Sequence, residues 1–325
     1  MLQVAPLTDH LPRAPRARAA WLRRYGLVLA LGLVCALLAA AKPTFFTAAN
    51  LVNILRQVSI NGLLAVGVTL VLLTGGVDLS LGSVVALAGV VAASRAQPSD
   101  GPVLLAVAAG IGAGLVCGLV NGTLVAYGRV APFIATLGMM TAARGLALVW
   151  SGGRPVSNLV PGFTALGGDW GRLPIPALLL AGVTLAVWVF LNRTRWGRHL
   201  YAVGSSAAAA RAAGISVTGI QLFAYGLCGA LAGLAGVVLA ARITTGQPNA
   251  GIAYELDAIA AVVIGGTSLS GGVGGVGGTI LGVLLLGVIN SGLDQLNVSA
   301  YYQQIIKGAI IVGAVWLDQR SRREA

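Results

Sequence analysis

From residue 26 to residue 317 the chain repeats apolar runs long enough to cross a bilayer, a length of roughly 17–25 residues in helical form. A segment in hydrocarbon must satisfy its own backbone hydrogen bonds, so only helices or a closed barrel survive there. A barrel is built from short alternating segments, and these runs do not alternate. The expected fold is therefore all-α, a polytopic membrane helical bundle. Only 9% of the residues are charged, against about 25% in a soluble domain, which excludes a water-soluble globule. The 47 glycines fit the same picture, because lipid gives helices no hydrophobic reason to associate and close approach must replace it.

Ten spans are expected, at about 26–41, 57–74, 79–95, 103–126, 132–151, 174–191, 217–240, 255–269, 272–293 and 300–317. The first follows Arg23-Arg24 and ends in Ala39-Ala40-Ala41, a pattern shared with secretory signal peptides. We expect a retained span, since a signal normally precedes a soluble or single-pass product, and cleavage stays open. With the N-terminus in the cytoplasm, 13 basic residues fall on that side and 6 on the other. This positive-inside bias puts both termini in the cytoplasm and fits an even number of spans. The organisation expected is a basic tail over 1–25, a permease body over 26–318 with a cytoplasmic loop at 192–216, and a short tail over 319–325. No extramembrane stretch is long enough to bury a core of its own. The net charge of +12 is accounted for by these topology signals, so membrane lipid is the expected partner and nucleic acid is not. Cys35, Cys117 and Cys228 lie in apolar runs and read as small buried residues.

Chemistry is scarce. Gly272-Val273-Gly274-Gly275-Val276-Gly277 is formally a G-x-G-x-x-G, yet a run of lipid-grade residues follows where a dinucleotide site needs a solvent-facing helix. The only lysines are Lys42 and Lys307, so no phosphate-loop G-K-[ST] exists. His10 and His199 have no metal-ligand partner at useful spacing. No catalytic residue, metal or cofactor is expected on this chain.

The stretch LLTGGVDLSLGS, residues 72–83, breaks the apolar pattern with a single carboxylate. Gly75-Gly76 should end one helix, and Asp78 and Ser80 should cap the next. An acid at membrane depth is a functional candidate, while an interfacial cap is the plainer reading, and Asp78 can serve as both. Residues 75–82 share five of eight identities with Gly265–Gly272, and Gly118–Asn121 resembles Gly287–Asn290. The offsets, 190 and 169, disagree, so an internal repeat could be parallel or inverted. Asn61, Asn121, Thr136, Thr141, Arg144, Thr267, Ser268, Ser270 and Asn290 add hydrogen-bonding groups within spans. Singly each reads as interhelical bonding; together with Gly75, Gly76, Asp78 and Ser80 they suit a pathway for a neutral polyol better than one for an ion. The acids are too few for a proton relay.

In the loop, Ser205 or Ser206 should cap a short helix from Ala207 to Ala213 that Gly214 ends. So short a helix is marginal alone, which points to docking on a protein partner.

These segments together resemble the membrane permease subunit of bacterial ATP-binding-cassette importers for ribose, xylose, arabinose, galactose and related sugars. The resemblance rests on Asn50–Gln57, Gly75–Ser83, Asn121-Gly122, Ala131–Gly138, Gly204, Ala209-Ala210-Arg211, Gly214-Ile215 and Gln303–Gly308, and spans about 45–318. It implies a homo- or heterodimer of permeases, an ATPase subunit that carries ATP and Mg, and a periplasmic or lipid-anchored sugar-binding protein. It also implies alternating access in the cytoplasmic (inner) membrane, with Gly204, Ala209, Ala210, Arg211, Gly214 and Ile215 coupling to the ATPase. Ser206, where the family usually has Asn, and Ala207 or Ala208, where it has an acid, depart from the pattern. Another small solute (an autoinducer, a nucleoside or a branched-chain amino acid) is the alternative cargo, and an autonomous secondary transporter the alternative class.

Overall fold

The computed structural model describes residues 17–98 and 101–323. The N-terminal residues 1–16, with His10, the tip 99–100 and the last two residues lie outside them. Along the chain run α1 (Ala17–Ala41), α2 (Ala48–Leu73), α3 (Leu81–Ser94), α4 (Val103–Ala126) and α5 (Pro132–Ser151). A short α6 (Pro161–Thr164) precedes a two-residue hairpin, β1 (Asp169–Trp170) and β2 (Leu173–Pro174). Then come α7 (Ile175–Arg193), α8 (Arg195–Ser205), α9 (Ala207–Ala212), α10 (Val217–Arg242), α11 (Tyr254–Ile264), α12 (Val276–Gln295) and α13 (Ala300–Arg323).

Every expected span has its helix, and α2, α4, α5, α7, α10 and α12 are each long and apolar enough to cross a bilayer. Two spans are corrected. α3 has 14 residues and α11 has 11, so at 1.5 Å per residue they reach about 21 Å and 16 Å of the roughly 30 Å needed. The span expected at 255–269 closes at Ile264, and its remainder joins a non-helical segment that reaches Gly275. The physical reason is glycine: Gly266, Gly271, Gly272 and Gly274 all take positive φ. The loop expected at 192–216 with one short helix holds two, because α8 precedes α9.

The bundle is arranged around α10, which packs against α2, α3 and α4. Of the most apolar stretch of each helix, 78% is buried in α2 and 72% in α10, against 22–28% in α4, α5 and α7. The first two are core; the other three turn most of their surface outward, where lipid or a second chain would cover it.

Glycines at four-residue spacing let α4 reach α10. A Cβ on Gly114 would lie 2.3 Å from the Gly229 carbonyl oxygen, and one on Gly118 only 2.2 Å from that of Tyr225. From the other side, a Cβ on Gly233 would lie 2.8 Å from the Gly110 oxygen. Backbone meets backbone along this seam, the contact that replaces hydrophobic drive in lipid. Gly118→Leu should therefore lower the yield of folded protein in detergent and shift thermal unfolding down by the equivalent of about 3 kcal/mol or more. Gly138→Ala, where nothing lies within 4 Å of the added carbon, should change neither measurement.

Candidate functional site

The two interrupted segments form the centre of the site. α2 ends as Gly75 donates to the Leu72 carbonyl (2.8 Å) and Gly76 to that of Val71 (3.1 Å), with Gly75 at φ +79°. Asp78 follows in non-helical backbone and is 1% exposed. Its Oδ1 accepts from the Ser80 amide at 2.9 Å and the Ser80 hydroxyl at 2.6 Å. Asn121 of α4 donates to Ser80 Oγ at 3.0 Å, and the Tyr225 hydroxyl of α10 donates to the Val77 carbonyl at 3.2 Å. Tyr225 lies about 12 Å along α10, so the break sits inside the bundle, with protein rather than lipid around its bare backbone. Ser80 does precede α3, as expected, but its hydroxyl caps no amide of that helix; it turns back to Asp78.

The second break runs from Gly265 to Gly275. Thr267 and Ser268 are buried, and Thr267 Oγ1 accepts from the Gly275 amide at 3.3 Å. Ser268 accepts from the Ser270 amide at 3.1 Å, while Ser270 itself is exposed. The two breaks touch. Gly272 donates to the Leu73 carbonyl at 3.0 Å, and a Cβ on Gly271 would come 2.8 Å from the Gly75 amide nitrogen. Residues 75–82 and 265–272, alike in sequence, are thus neighbours in space.

At that same end lie α8 and α9. Thr194 Oγ1 accepts from the Gly197 amide (3.1 Å) and Ser206 Oγ from the Ala209 amide (3.1 Å), which caps both helices. Ile215 donates to the Ala210 carbonyl at 2.9 Å with Gly214 at φ +78°, the left-handed finish that glycine permits. Ala209, Arg211 and Gly214 are exposed, Ala210 is buried and Ile215 half-buried. Gly204 has another position. A Cβ there would lie 1.8 Å from the Leu73 oxygen and 2.5 Å from the Gly272 nitrogen. The end of α8 is therefore wedged against both breaks at once, and Tyr201 adds a hydrogen bond to the Gly274 carbonyl at 3.0 Å. Burial pushes the Tyr201 phenol above its ordinary value, so it stays a neutral donor. α8 was missed in the sequence, although Gly197, Leu200 and Val203 recur at three-residue spacing and all are buried.

At the opposite end, α2, α11, α12 and the start of α13 enclose a cavity of about 190 Å³. Asn61, Tyr254, Asp257, Asn290, Gln303 and Lys307 are among its lining residues. Lys307 Nζ lies 2.8 Å from Asp257 Oδ2, and Gln303 donates to Asp294 Oδ1 at 2.8 Å. Of the residues expected along a pathway, Asn61 and Asn290 reach this cavity; Asp78, Ser80, Asn121, Thr136, Thr267 and Ser268 are buried away from it. Thr136 and Thr141 bond back to carbonyls of their own helix, and Arg144 donates to the Pro248 (2.6 Å) and Ala250 (2.8 Å) carbonyls. The Asp257–Lys307 pair was not anticipated; its only trace in the sequence is the acids Glu255 and Asp257 early in one apolar span and Lys307 early in another. Among the described residues no cluster of His, Cys, Asp or Glu could hold a metal.

A bundle of spanning helices with two adjoining interruptions, a wedged loop helix and a polar cavity is a membrane-embedded permease. The chain belongs to the family described as branched-chain amino acid transport system / permease component, whose model matches residues 50–315. It is 47% identical over 311 residues to the ribose import permease protein RbsC of Escherichia coli (strain K12), covering 93% of this chain and 96% of that one. RbsC of Bacillus subtilis (strain 168) is 44% identical, over 92% and 94% of the two chains. The galactose/methyl galactoside import permease protein MglC of Escherichia coli (strain K12) is 38% identical, over 92% and 94%. No solved structure matches.

Asp78 holds its turn through one oxygen, so Asp78→Asn should keep the fold. Asp78→Leu leaves the buried Ser80 amide without an acceptor and should cost about 1–3 kcal/mol. Thermal unfolding of both variants in detergent checks this.

Proposed function

We propose that this chain is the membrane-spanning subunit of an ATP-binding-cassette importer that moves a monosaccharide, a pentose or hexose, across the cytoplasmic membrane. An extracytoplasmic binding protein delivers the sugar, and a separate ATPase subunit, carrying ATP and Mg, drives the movement. Two permease chains, identical or different, complete the pore, and both termini face the cytoplasm. The similarity along nearly the whole length of ribose and galactose import permeases supports the sugar.

The observation that carries the mechanism is the wedge of Gly204 between Leu73 and Gly272. The exposed residues of α9, Ala209 and Arg211 with Gly214 beyond them, form the coupling surface, with Ala210 and Ile215 seating it on the bundle. When the ATPase pair closes, α9 moves, α8 moves with it, and the push falls on the end of α2 and on the second break at Gly272 together. Gly75, Gly76, Asp78 and Ser80, with Asn121 behind them, form one joint; Thr267, Ser268 and Ser270 form the other. The segments between them rock as rigid bodies and open the pathway to alternate sides.

Arg211→Glu puts an acid on the docking surface, and Gly214→Val strains a left-handed turn. Each should weaken ATPase docking by about 2 kcal/mol, roughly thirtyfold in affinity. Labelled ribose and galactose uptake, with ATPase and binding protein co-expressed, should then fall close to background while membrane levels of the permease hold. Normal uptake by both variants would exclude α9 as the coupling helix.

A further inference from the structure

The cavity near Asn61 has a definite chemistry. Its charged lining residues are Arg242, Asp257, Asp294 and Lys307, two of each sign, so it carries no net formal charge. The close charges are also engaged: Lys307 with Asp257, and Asp294 with Gln303. Arg242 brings the remaining cation and Asp294 the remaining carboxylate, so the wall is neutral only in sum. Asn61 Oδ1 is buried and has no hydrogen-bond partner among the described residues, although it sits in the wall of the cavity. An unmet buried acceptor is costly, and an O–H donor from a ligand satisfies it. Val58, Ile60, Leu286 and the Tyr254 ring supply apolar surface to the same space.

We propose that this cavity is a binding station for the transported monosaccharide, in which Asn61 accepts a hydrogen bond from one sugar hydroxyl. The assignment rests on the sugar-import reading above and adds where the cargo pauses. Monosaccharides fit each feature: no charge, hydroxyls that both donate and accept, and a C–H face to lie against Ile60 and Tyr254. The engaged Lys307–Asp257 pair offers spare donor and acceptor capacity to neighbouring hydroxyls, and Asn290 faces them from α12.

The test uses the complete importer in proteoliposomes, with binding protein and ATPase present. Two quantities are read: uptake of labelled ribose or galactose, whichever the wild type imports, and binding-protein-stimulated ATP hydrolysis. Asn61→Leu should lower uptake about tenfold and leave stimulated hydrolysis within about twofold, so more ATP is spent per sugar. A series of singly deoxygenated sugars identifies the contact: the analogue lacking the bonded hydroxyl should lose little further uptake in Asn61→Leu. Asn290→Leu, on the facing helix, carries the same readouts should the first variant be lost from the membrane. Unchanged uptake in the variants, or an equal loss for every analogue, overturns the station while leaving sugar import intact. Import of leucine and no sugar by the wild type overturns the sugar reading itself.

Discussion

Unpaired backbone cannot face lipid, and this constraint organises the molecule. Two helices stop inside the bundle and expose seven or more residues of bare peptide each. Protein satisfies them: the Asp78 carboxylate and Tyr225 hydroxyl hold the first break, Thr267 and Ser268 the second, and the Gly272–Leu73 hydrogen bond ties one to the other. Such backbone is more easily re-aimed than an intact helix, because few ladder bonds have to open. The same feature that is costly to bury is what can move.

Close packing turns these joints into a linkage. Gly204 touches the ends of both broken segments, and any larger residue would hold α8 off them. α10, buried over most of its length, supplies a fixed post through its glycine seam with α4. In the proposed mechanism, motion at α9 would be passed to α2 and the second break rather than absorbed. The cavity lies at the far end of α2 and α11, so sugar and ATPase would act on opposite ends of one pair of levers.

Much of this could be read from residues alone. The existence and order of the spans, the Gly75-Gly76 stop and the Ser206-to-Gly214 helix follow from local rules of hydropathy, capping and glycine conformation; the helices outrun the apolar runs, with α1 and α2 starting nine residues before the expected spans and α13 ending six residues after, because the backbone ladder continues through polar residues. The shortened α11 was less accessible, since Gly265-Gly266 sits within an apolar run that hydropathy alone continues. The Asp257–Lys307 pair lay further out of reach, because its partners are 50 residues apart and meet only when α11 packs on α13. Asp78 was open to two readings, a cap and a pathway group; in the structure its Oδ1 is held by Ser80 two residues on, a local contact in line with the plainer reading.

In the proposed mechanism α9 and the Gly272–Gly274 end of the second break would travel as one body, hinged at Thr267–Ser270, while the surrounding helices stay behind. Spin labels placed at exposed positions 209 and 273, and separately at 209 and 127 at the end of α4, test it in a cysteine-replaced chain assembled with its ATPase. Pulsed electron paramagnetic resonance distances are compared with and without trapped ATP. The expected result is an unchanged 209–273 distance and a shifted 209–127 distance. A 209–273 distance that changes while 209–127 stays fixed would contradict it.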